Sequence, residues 1–289
     1  MILTLAAWSV AGQAQTHRQT INKTLQFEKP ATTNVLYVAN INGNVRAEGY
    51  NGSTIQIEVV KKITAKTESR LEAARSLLDL GIIDRSDTIF VYIKGVCGTF
   101  SNKNLGRWKN NSSWGYNWND CEQSFDYKMD FVIKVPYSSN IYLSTINEGD
   151  ISAENIQGMV NAKNINGSIS LNKISNTNYA HTINGDVTMN IDKHPTQTGS
   201  YYSLNGDIVA NYRQGLSAEL SFKSYNGDFF TNIPQVEQMP QTIEISKANG
   251  SDGIQYKLEG RTIVKTGKGG VRLDFETFNG DVYIKEIIN

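Results

Sequence analysis

The densest group of side chains suited to ligand binding in this 289-residue sequence lies between its two cysteines, Cys97 and Cys121. This loop carries the candidate ligand-binding residues Trp108, Trp114, Tyr116 and Trp118 among many Asn, Ser and Gly. Flat aromatic rings supply apolar contact area, and small polar neighbours supply adaptable hydrogen bonds. This chemistry suits a sugar ring stacked on tryptophan. The alternative is that the rings pack under the loop as a small satellite core.

A second candidate for chemistry is a set of repeated aspartates, Asp150, Asp186, Asp207, Asp228 and Asp281. If the repeats stack, these carboxylates line up at one corner and repel one another unless a cation such as Ca²⁺ neutralises them. Each repeat has fewer glycines than the known calcium-binding nonapeptides, and Asn44 and Ser168 interrupt the row. We therefore favour a structural role, in which each Asp caps its own turn through backbone amides.

The sequence contains no nucleophile elbow, zinc-protease motif or dinucleotide fingerprint. His17, His181 and His194 show no metal-ligand spacing, so neither a metal nor a cofactor is predicted. The equal counts of 28 Lys+Arg and 28 Asp+Glu argue against nucleic acid as the main partner. The alternative function is an enzyme that cleaves polysaccharides with a pair of carboxylates.

The N-terminus predicts export. Residues 1–11 are mostly apolar, and Gly12-Gln13-Ala14 places small residues where signal peptidase cuts, so 1–14 is predicted to be a signal peptide. A buried first strand is the alternative. Export would let Cys97 and Cys121 form a disulfide, which the chain-entropy model values at roughly 3.5 kcal/mol, whereas buried free thiols are the alternative. No apolar run is long enough for a transmembrane helix.

The elements that must position these residues follow from an internal repeat, an apolar residue followed by Asn-Gly, a polar residue and another apolar residue. Its repeat-turn residues are Asn42 and Gly43, Asn166 and Gly167, Asn184 and Gly185, Asn205 and Gly206, Asn226 and Gly227, and Asn279 and Gly280. A finer step of nine residues joins Gly149, Gly158, Gly167, Asn176 and Gly185. Asn176 replaces Gly there because Asn also tolerates a left-handed backbone.

Apolar and polar residues alternate after each glycine, which predicts short strands with one buried face. A nine-residue unit cannot bury that face alone, but stacked copies can. We therefore predict an all-β fold, a parallel β-solenoid resembling a single-stranded β-helix, with two units to a rung and with the repeated Asn amides hydrogen-bonded in a ladder. The alternative is an antiparallel meander with Asn-Gly hairpin turns, which the steady spacing disfavours.

The predicted organisation has four parts: a signal peptide at 1–14, a linker at 15–33, a solenoid domain at 34–289, and an insertion within it at 61–140. In the insertion, Lys66–Leu80 is predicted to be a helix covering one end or side of the solenoid. Its predicted capping box is Ser69 with Glu72, and Gly81 is its predicted stop.

The insertion also contains two predicted strands, Thr88–Lys94 and Phe125–Val135. The second alternates apolar and polar residues over its whole length, as a half-buried strand does. We predict that the two strands form a hairpin whose neck is stapled by the cysteines.

With these repeats, the exported N-terminus and the cysteine-bounded aromatic loop, the chain resembles the bacterial β-strand-repeat proteins called "putative adhesins", which are similar to Gly-Ile-Asn head domains. The likeness covers about residues 34 to 289, and the segment from Phe275 to Val282 is typical of it. The resemblance implies a β-solenoid, an envelope or secreted location, and no catalytic residues.

The predicted function is an exported, non-enzymatic binding or scaffold protein of the cell envelope, whose partner is a glycan or an envelope protein. The loop 97–121 is the predicted recognition element. A ligand-free structural or regulatory protein and a polysaccharide-acting enzyme are the alternatives, and the sequence leaves the oligomeric state open.

Overall fold

The computed structural model describes residues 14–28, 32–101, 115–118, 122–240, 242–250 and 253–287. The described chain is nearly all β, with two large mixed sheets, a small third sheet and one helix. Most of the predicted signal peptide lies outside the described residues, and so do Trp108, Trp114 and Cys121.

The amino-terminal elements are β1 (Gln15–Leu25), β2 (Val35–Ala39), β3 (Val45–Tyr50), β4 (Ile55–Ala65), α1 (Glu68–Leu77), β5 (Asp79–Asp84), β6 (Thr88–Lys94), β7 (Gly98–Phe100), β8 (Tyr116–Trp118), β9 (Phe125–Pro136), β10 (Asn140–Ser144), β11 (Ile151–Glu154) and β12 (Met159–Lys163). The carboxy-terminal elements are β13 (Ile169–Ile174), β14 (Asn176–Asn184), β15 (Val187–Ile191), β16 (Gly199–Asn205), β17 (Ile208–Arg213), β18 (Ala218–Asn226), β19 (Phe229–Thr231), β20 (Val236–Gln238), β21 (Thr242–Gly250), β22 (Gly253–Thr266), β23 (Val271–Asn279) and β24 (Val282–Ile287).

Two sheets contain almost all the strands. Sheet A has the order β1-β4-β9-β3-β11-β13-β15-β17-β24-β19, and sheet B has the order β20-β22-β18-β23-β16-β14-β12-β10-β2-β6-β5, with β21 paired to β22. From β10 to β17 successive strands alternate between the sheets, and each pairs in parallel with the strand two positions later. The register repeats every 18 to 21 residues, as Ile151 opposite Ile169 and Val187 opposite Ile208 show.

The inward face of each sheet is a row of apolar side chains from successive strands. In sheet A one such row is Val45, Ile151, Ile169, Val187, Ile208 and Val282, and in sheet B the matching row is Leu143, Ala162, Ala180, Tyr201 and Phe275. All of these side chains are buried. A buried aliphatic or aromatic side chain stabilises the fold by about 1.5–3 kcal/mol, so this continuous core accounts for the stacking that single repeats cannot achieve.

The repeat glycines allow neighbouring turns to come into close contact. Gly185 has φ +151°, and a Cβ there would lie 2.4 Å from the carbonyl oxygen of Gly167. The left-handed backbone expected at Asn176 is wrong, because the positive φ near it falls on Lys173, at 50°. The nine-residue step therefore marks successive strands, but only alternate corners use the Asn-Gly turn.

The predicted asparagine ladder is confirmed. Each Nδ2 donates to the Oδ1 of the neighbouring rung, in the order Asn147 to Asn42 at 3.4 Å, Asn166 to Asn147 at 2.8 Å, Asn184 to Asn166 at 2.8 Å, Asn205 to Asn184 at 2.8 Å, Asn279 to Asn205 at 2.7 Å and Asn226 to Asn279 at 2.8 Å. Each amide in the row is held by its neighbours, so the ladder fixes the register of the turns.

The expectation that the repeated aspartates cap their own turns is wrong. Four of the five carboxylates, those of Asp150, Asp186, Asp207 and Asp281, accept a hydrogen bond from the backbone N–H of the equivalent residue in the next rung. The N–H of Asp207 donates in this way to Asp186 at 2.9 Å, and that of Asp281 donates to Asp207 at 2.8 Å. Within the described chain, no group of three or more His, Cys, Asp or Glu side chains is arranged to hold a metal ion.

A second, buried ladder lies two residues before each repeat asparagine, and it was not predicted from the sequence. Except at Asn40, whose amide donates to Gly43 of its own turn, the side chain at this position donates to the carbonyl of the repeat glycine one rung away. Thr182 donates to Gly167 at 2.7 Å, and Ser203 donates to Gly185 at 2.8 Å. These hydroxyl groups satisfy the carbonyls of the turns inside the core, where an unpaired polar atom is costly.

The rungs do not follow chain order at the carboxy-terminal end. Strands β23 and β24 come last in the sequence, but they lie between the rung of β16 and β17 and the rung of β18 and β19. The antiparallel strand β22 then covers β18 in sheet B. In sheet A the short strand β19 forms the edge.

The helix of the insertion forms, but its boundaries differ from the prediction. It begins after Thr67, whose hydroxyl accepts from the N–H of Arg70, so the predicted Ser69 and Glu72 capping box is wrong. It ends at Leu77, because the next residue adopts extended backbone and leads into β5, where Gly81 lies. The helix packs against β1, β4 and β9 of sheet A.

The predicted hairpin of the insertion is wrong, although both of its strands form. Strand β6 pairs with β2 and β5 in sheet B, whereas β9 pairs with β3 and β4 in sheet A. Each strand has a buried inward face, but the two strands pair within different sheets.

The residues predicted as a linker contain β1, which pairs antiparallel with β4 over its whole length. Cys97 follows β6 and has no free thiol. Its predicted bridge to Cys121 stays a prediction, because Cys121 lies outside the described residues. Among the helices of the described chain, none has the length and apolar character to span a membrane.

Candidate binding surface

Alternate residues of the sheet B strands point away from the core and form two parallel rows across the sheet. The first outer row is Phe90, Tyr37, Tyr142, Asn161, Tyr179, Ser200 and Asp274. The second outer row is Tyr92, Ala39, Ser144, Lys163, His181, Tyr202, Glu276 and Lys223. Part of this face is covered, since Phe90, Tyr179 and Lys163 are among its buried side chains, whereas Tyr37, Tyr142 and Tyr202 are partly exposed.

The first outer row begins with three stacked rings, here called the aromatic row. The ring centroid of Tyr37 lies 5.0 Å from that of Phe90 and 4.6 Å from that of Tyr142. Burial, with a smaller contribution from Tyr142, raises the pKa of Tyr37 to about 12. The row therefore presents neutral aromatic faces in an offset stack.

The ends of the predicted recognition loop are fixed beside the aromatic row. Strands β7 and β8 pair with each other, and Phe100 of β7 stacks on Tyr92 with centroids 4.1 Å apart. The Tyr116 hydroxyl of β8 accepts from the backbone N–H of Ile93 at 2.8 Å and donates to the carbonyl of Ala39 at 2.9 Å. Burial raises the pKa of Tyr116, so this phenol is a neutral anchor for the loop.

The structure locates the predicted site residues only in part. Tyr116 is 5% exposed and held within the fold. Trp118 pairs with Gly98 across the two-stranded sheet. Trp108 and Trp114 lie outside the described residues, so their role in ligand binding stays a prediction.

The middle of the surface contains a histidine that does not carry charge at neutral pH. His181 stacks on Tyr179 with centroids 3.5 Å apart, and its Nε2 lies 2.9 Å from Ser200 Oγ. Burial, followed by the nearby charge of Lys163, lowers the pKa of His181 to about 3. Burial also lowers the pKa of Lys163, which is 4% exposed.

Beyond His181 lies a cavity of about 180 Å³, here called the charged groove. It is lined by His181, Ser200, Tyr201, Tyr202, Arg261, Arg272, Asp274 and Glu276. Arg261 Nη2 lies 2.5 Å from Glu276 Oε2, and Arg272 Nε lies 2.9 Å from Asp274 Oδ1. Lys223 Nζ adds a longer contact of 3.7 Å to Glu276.

The carboxylates of the charged groove bear on the alternative function, a polysaccharide-cleaving enzyme. The two carboxylates, Asp274 and Glu276, are two residues apart on the outward side of one strand, and each is paired with an arginine. Glycoside cleavage needs two carboxyl groups that flank the scissile bond, whereas these two project from the same side of a single strand and are held in ion pairs. The geometry therefore suits a binding site better than this chemistry.

Sequence reasoning missed the charged groove because its residues become neighbours only through the register. Arg261 comes from the antiparallel strand β22, whereas Glu276 belongs to β23. The available signal was the polar identity of alternate residues in β23, namely Arg272, Asp274 and Glu276. Without the strand order, nothing connects these residues with His181.

Comparison with known proteins gives structural neighbours but no close relative. No protein-family model matches the chain, and neither does any curated protein. A putative cell adhesion protein from Clostridium sporogenes is 11% identical, with a TM-score of 0.46, and the match covers 94% of this chain and 100% of that one. A putative adhesin from Bacteroides fragilis is 13% identical, with a TM-score of 0.35, over 93% and 97% of the two chains.

A putative lipid binding protein from Parabacteroides distasonis is 11% identical, with a TM-score of 0.25, over 96% of this chain and 98% of that one. Solved structures named as putative adhesins or cell adhesion proteins, the kind of protein that the repeats resemble, are among those to which the chain is similar.

Proposed function

We propose that this chain is a non-enzymatic binding module of the bacterial cell envelope, exported and built on a parallel β-solenoid, which binds glycans through the loop 97–121 and the outer face of sheet B. The observation that carries this proposal is the aromatic row, whose stacked rings continue into the anchored ends of that loop. Aromatic faces beside amide and hydroxyl groups are the chemistry that sugars require.

The solenoid part of the proposal is supported by the parallel pairing of alternate strands. A step of 18 to 21 residues adds one strand to each sheet. The asparagine and aspartate contacts between rungs follow the same step. A meander would give antiparallel neighbours along this stretch, and the pairing from β10 to β17 is parallel.

The disulfide belongs to the same proposal. Cys97 immediately precedes β7, and Cys121 follows β8 by three residues. Since β7 and β8 pair with each other, a bridge between these cysteines would close the loop at its neck. Closing the loop would reduce its conformational freedom before a ligand binds and so favour binding.

Screening the full chain against a panel of bacterial and host glycans tests the proposal. The informative variant replaces Trp108, Trp114 and Trp118 with alanine, and we expect it to lose glycan binding while its thermal unfolding midpoint stays close to that of the wild type. A matched control replaces three aromatic residues exposed at the far end of the stack, Tyr225, Phe230 and Phe278. We expect this control to bind normally.

Two outcomes would contradict the proposal. If the wild-type protein binds no glycan and the loop variant is strongly destabilised, the tryptophans form a core and the loop is structural. If both triple variants lose binding equally, the recognition surface lies elsewhere.

A further inference from the structure

The charged groove contains a buried cationic group that is only partly paired. The Arg261 side chain is 14% exposed, and its Nη2 is taken by Glu276. Among the described residues, Arg261 Nη1 is buried and has no hydrogen-bond partner. Buried N–H groups are nearly always paired, and leaving a charged one without an acceptor is costly, so this nitrogen is suited to hydrogen-bond an acceptor that a ligand supplies.

The charges around the groove indicate the charge of that acceptor. Three cationic side chains, Lys223, Arg261 and Arg272, face two carboxylates, Asp274 and Glu276. The lowered pKa of His181 keeps this ring neutral, and Lys163 lies close enough to contribute to that shift. The cations among these described side chains outnumber the carboxylates, which favours an anionic acceptor over a neutral or cationic one.

The walls of the groove indicate what the anion is attached to. Ser200 and Tyr202 supply hydroxyl groups, and the Tyr202 ring lies 5.5 Å from His181 at a tilt of 46°. The cavity of about 180 Å³ is large enough for a carboxylate together with part of a polar ring. The groove also lies on the same outer face as the aromatic row.

We infer that the charged groove binds the carboxylate of an acidic sugar, with Arg261 Nη1 as its principal donor. This inference rests on the proposed glycan binding and specifies the class of glycan as uronate-containing. Arg261 would then bridge Glu276 through one nitrogen and the sugar carboxylate through the other, as a guanidinium can because its donors form a planar fork.

The test compares two probes that differ only at C6, methyl β-glucuronide and methyl β-glucoside, by calorimetric titration of the full chain at pH 7. We expect the glucuronide to bind at least about tenfold more tightly, since the difference is one charge-assisted contact in a partly buried site. The variant Arg261→Gln should lose this preference. The matched control Arg213→Gln removes the same charge from an exposed pair with Asp192 and should keep it.

Several outcomes would overturn the inference. These are equal affinity for the two probes, an unchanged preference in Arg261→Gln, or acetate binding as tightly as the glucuronide, which would indicate a site for free carboxylates. If Arg261→Gln fails to fold, the side-chain NMR signals of Arg261 in the wild-type protein decide the question, since they must shift with the glucuronide and stay in place with the glucoside.

The outcome also separates this inference from the function on which it rests. Binding of neutral glycans through the tryptophan loop, without preference for uronates, would overturn the inference and leave the proposed function standing. Absence of binding to every glycan would overturn both.

Discussion

The close contact between neighbouring turns predicts that alanine substitutions at Gly185, Gly215 and Gly260 destabilise the protein to different extents. Replacing Gly185 with alanine introduces two penalties. Its φ of +151° is one that L-residues rarely adopt, and the new Cβ would lie 2.4 Å from the carbonyl oxygen of Gly167 and 2.8 Å from the backbone nitrogen of Ser168. Both contacts are with backbone atoms, so no side-chain rotation can relieve them.

The magnitude follows from these two terms. Backbone strain of this kind costs about 1–3 kcal/mol. An ordinary contact for the Cβ requires the two rungs to separate locally by roughly 1 Å, which breaks or weakens hydrogen bonds worth about 0.5–1.5 kcal/mol each. The bonds at risk include Asn184 to Asn166 at 2.8 Å and Thr182 to Gly167 at 2.7 Å. We expect a total loss of about 3–5 kcal/mol, a large share of the stability of an ordinary domain.

Alanine substitutions at two other glycines separate the cost of backbone strain from the cost of the Cβ contact. Gly215 has φ +88°, and a Cβ added there would have no atom within 4 Å, so Gly215→Ala should cost only the backbone strain, about 1–3 kcal/mol. Gly260 lies in β22 with neither a positive φ nor a close neighbour, so Gly260→Ala should be neutral or stabilising by up to about 1 kcal/mol.

Equilibrium urea unfolding, followed by circular dichroism, measures all three variants on one scale. The reasoning requires the loss in free energy of unfolding to be largest for Gly185→Ala, intermediate for Gly215→Ala and near zero for Gly260→Ala. Equal losses at Gly185 and Gly215 would refute the claim that close approach of the rungs, beyond backbone conformation, demands glycine.

Three further predictions use the same urea assay. The pKa of His181 is about 3 in the folded state, below its usual value near 6.5, so the unfolded state takes up the proton first as the pH falls. Wild-type stability should therefore decrease below pH 6.5 by up to about 1.4 kcal/mol per pH unit. The variant His181→Gln should flatten this slope, and an unchanged slope between pH 6 and 4 would contradict the prediction. The variant Thr182→Val removes a buried hydrogen-bond donor and should lower the free energy of unfolding by about 1–3 kcal/mol. The control Thr188→Val, on the partly exposed side of β15, should lower it by less than about 0.5 kcal/mol, and similar losses in both variants would argue against the buried ladder. The variant Asn184→Ala breaks two hydrogen bonds of the asparagine ladder, whereas Asn226→Ala breaks one. Asn184→Ala should therefore be more destabilising than Asn226→Ala by about 1 kcal/mol, and the reverse order would count against a continuous ladder.

The repeat could be predicted from sequence because its causes are local. Alternating apolar residues define a strand face, and glycine is needed wherever a turn has positive φ, so Asn184 and Gly185 indicate their own environment. Identical residues at a fixed step also predict stacking, and the asparagine ladder follows from it. Strand β6 was predicted with its observed bounds for the same reason, since its apolar residues are contiguous in sequence.

The candidate surface was predictable only in composition. The aromatic loop between the cysteines is visible in the sequence, but the aromatic row that supports it is assembled from β6, β2 and β10, which are far apart in the chain. Outward-facing side chains in a repeat have no strong patterning requirement, so their identity alone says nothing about their neighbours.

The residue pattern is therefore enough to predict the unit: strand, turn, buried face and the amides that join one rung to the next. The order of the rungs, the separation of β6 from β9, and the contact of Arg261 with Glu276 in the charged groove depend on the folded chain as a whole. This is because a strand edge can pair with any strand that has a compatible face. Which segment occupies that edge depends on the competition among all edges at once, and no local pattern encodes that outcome.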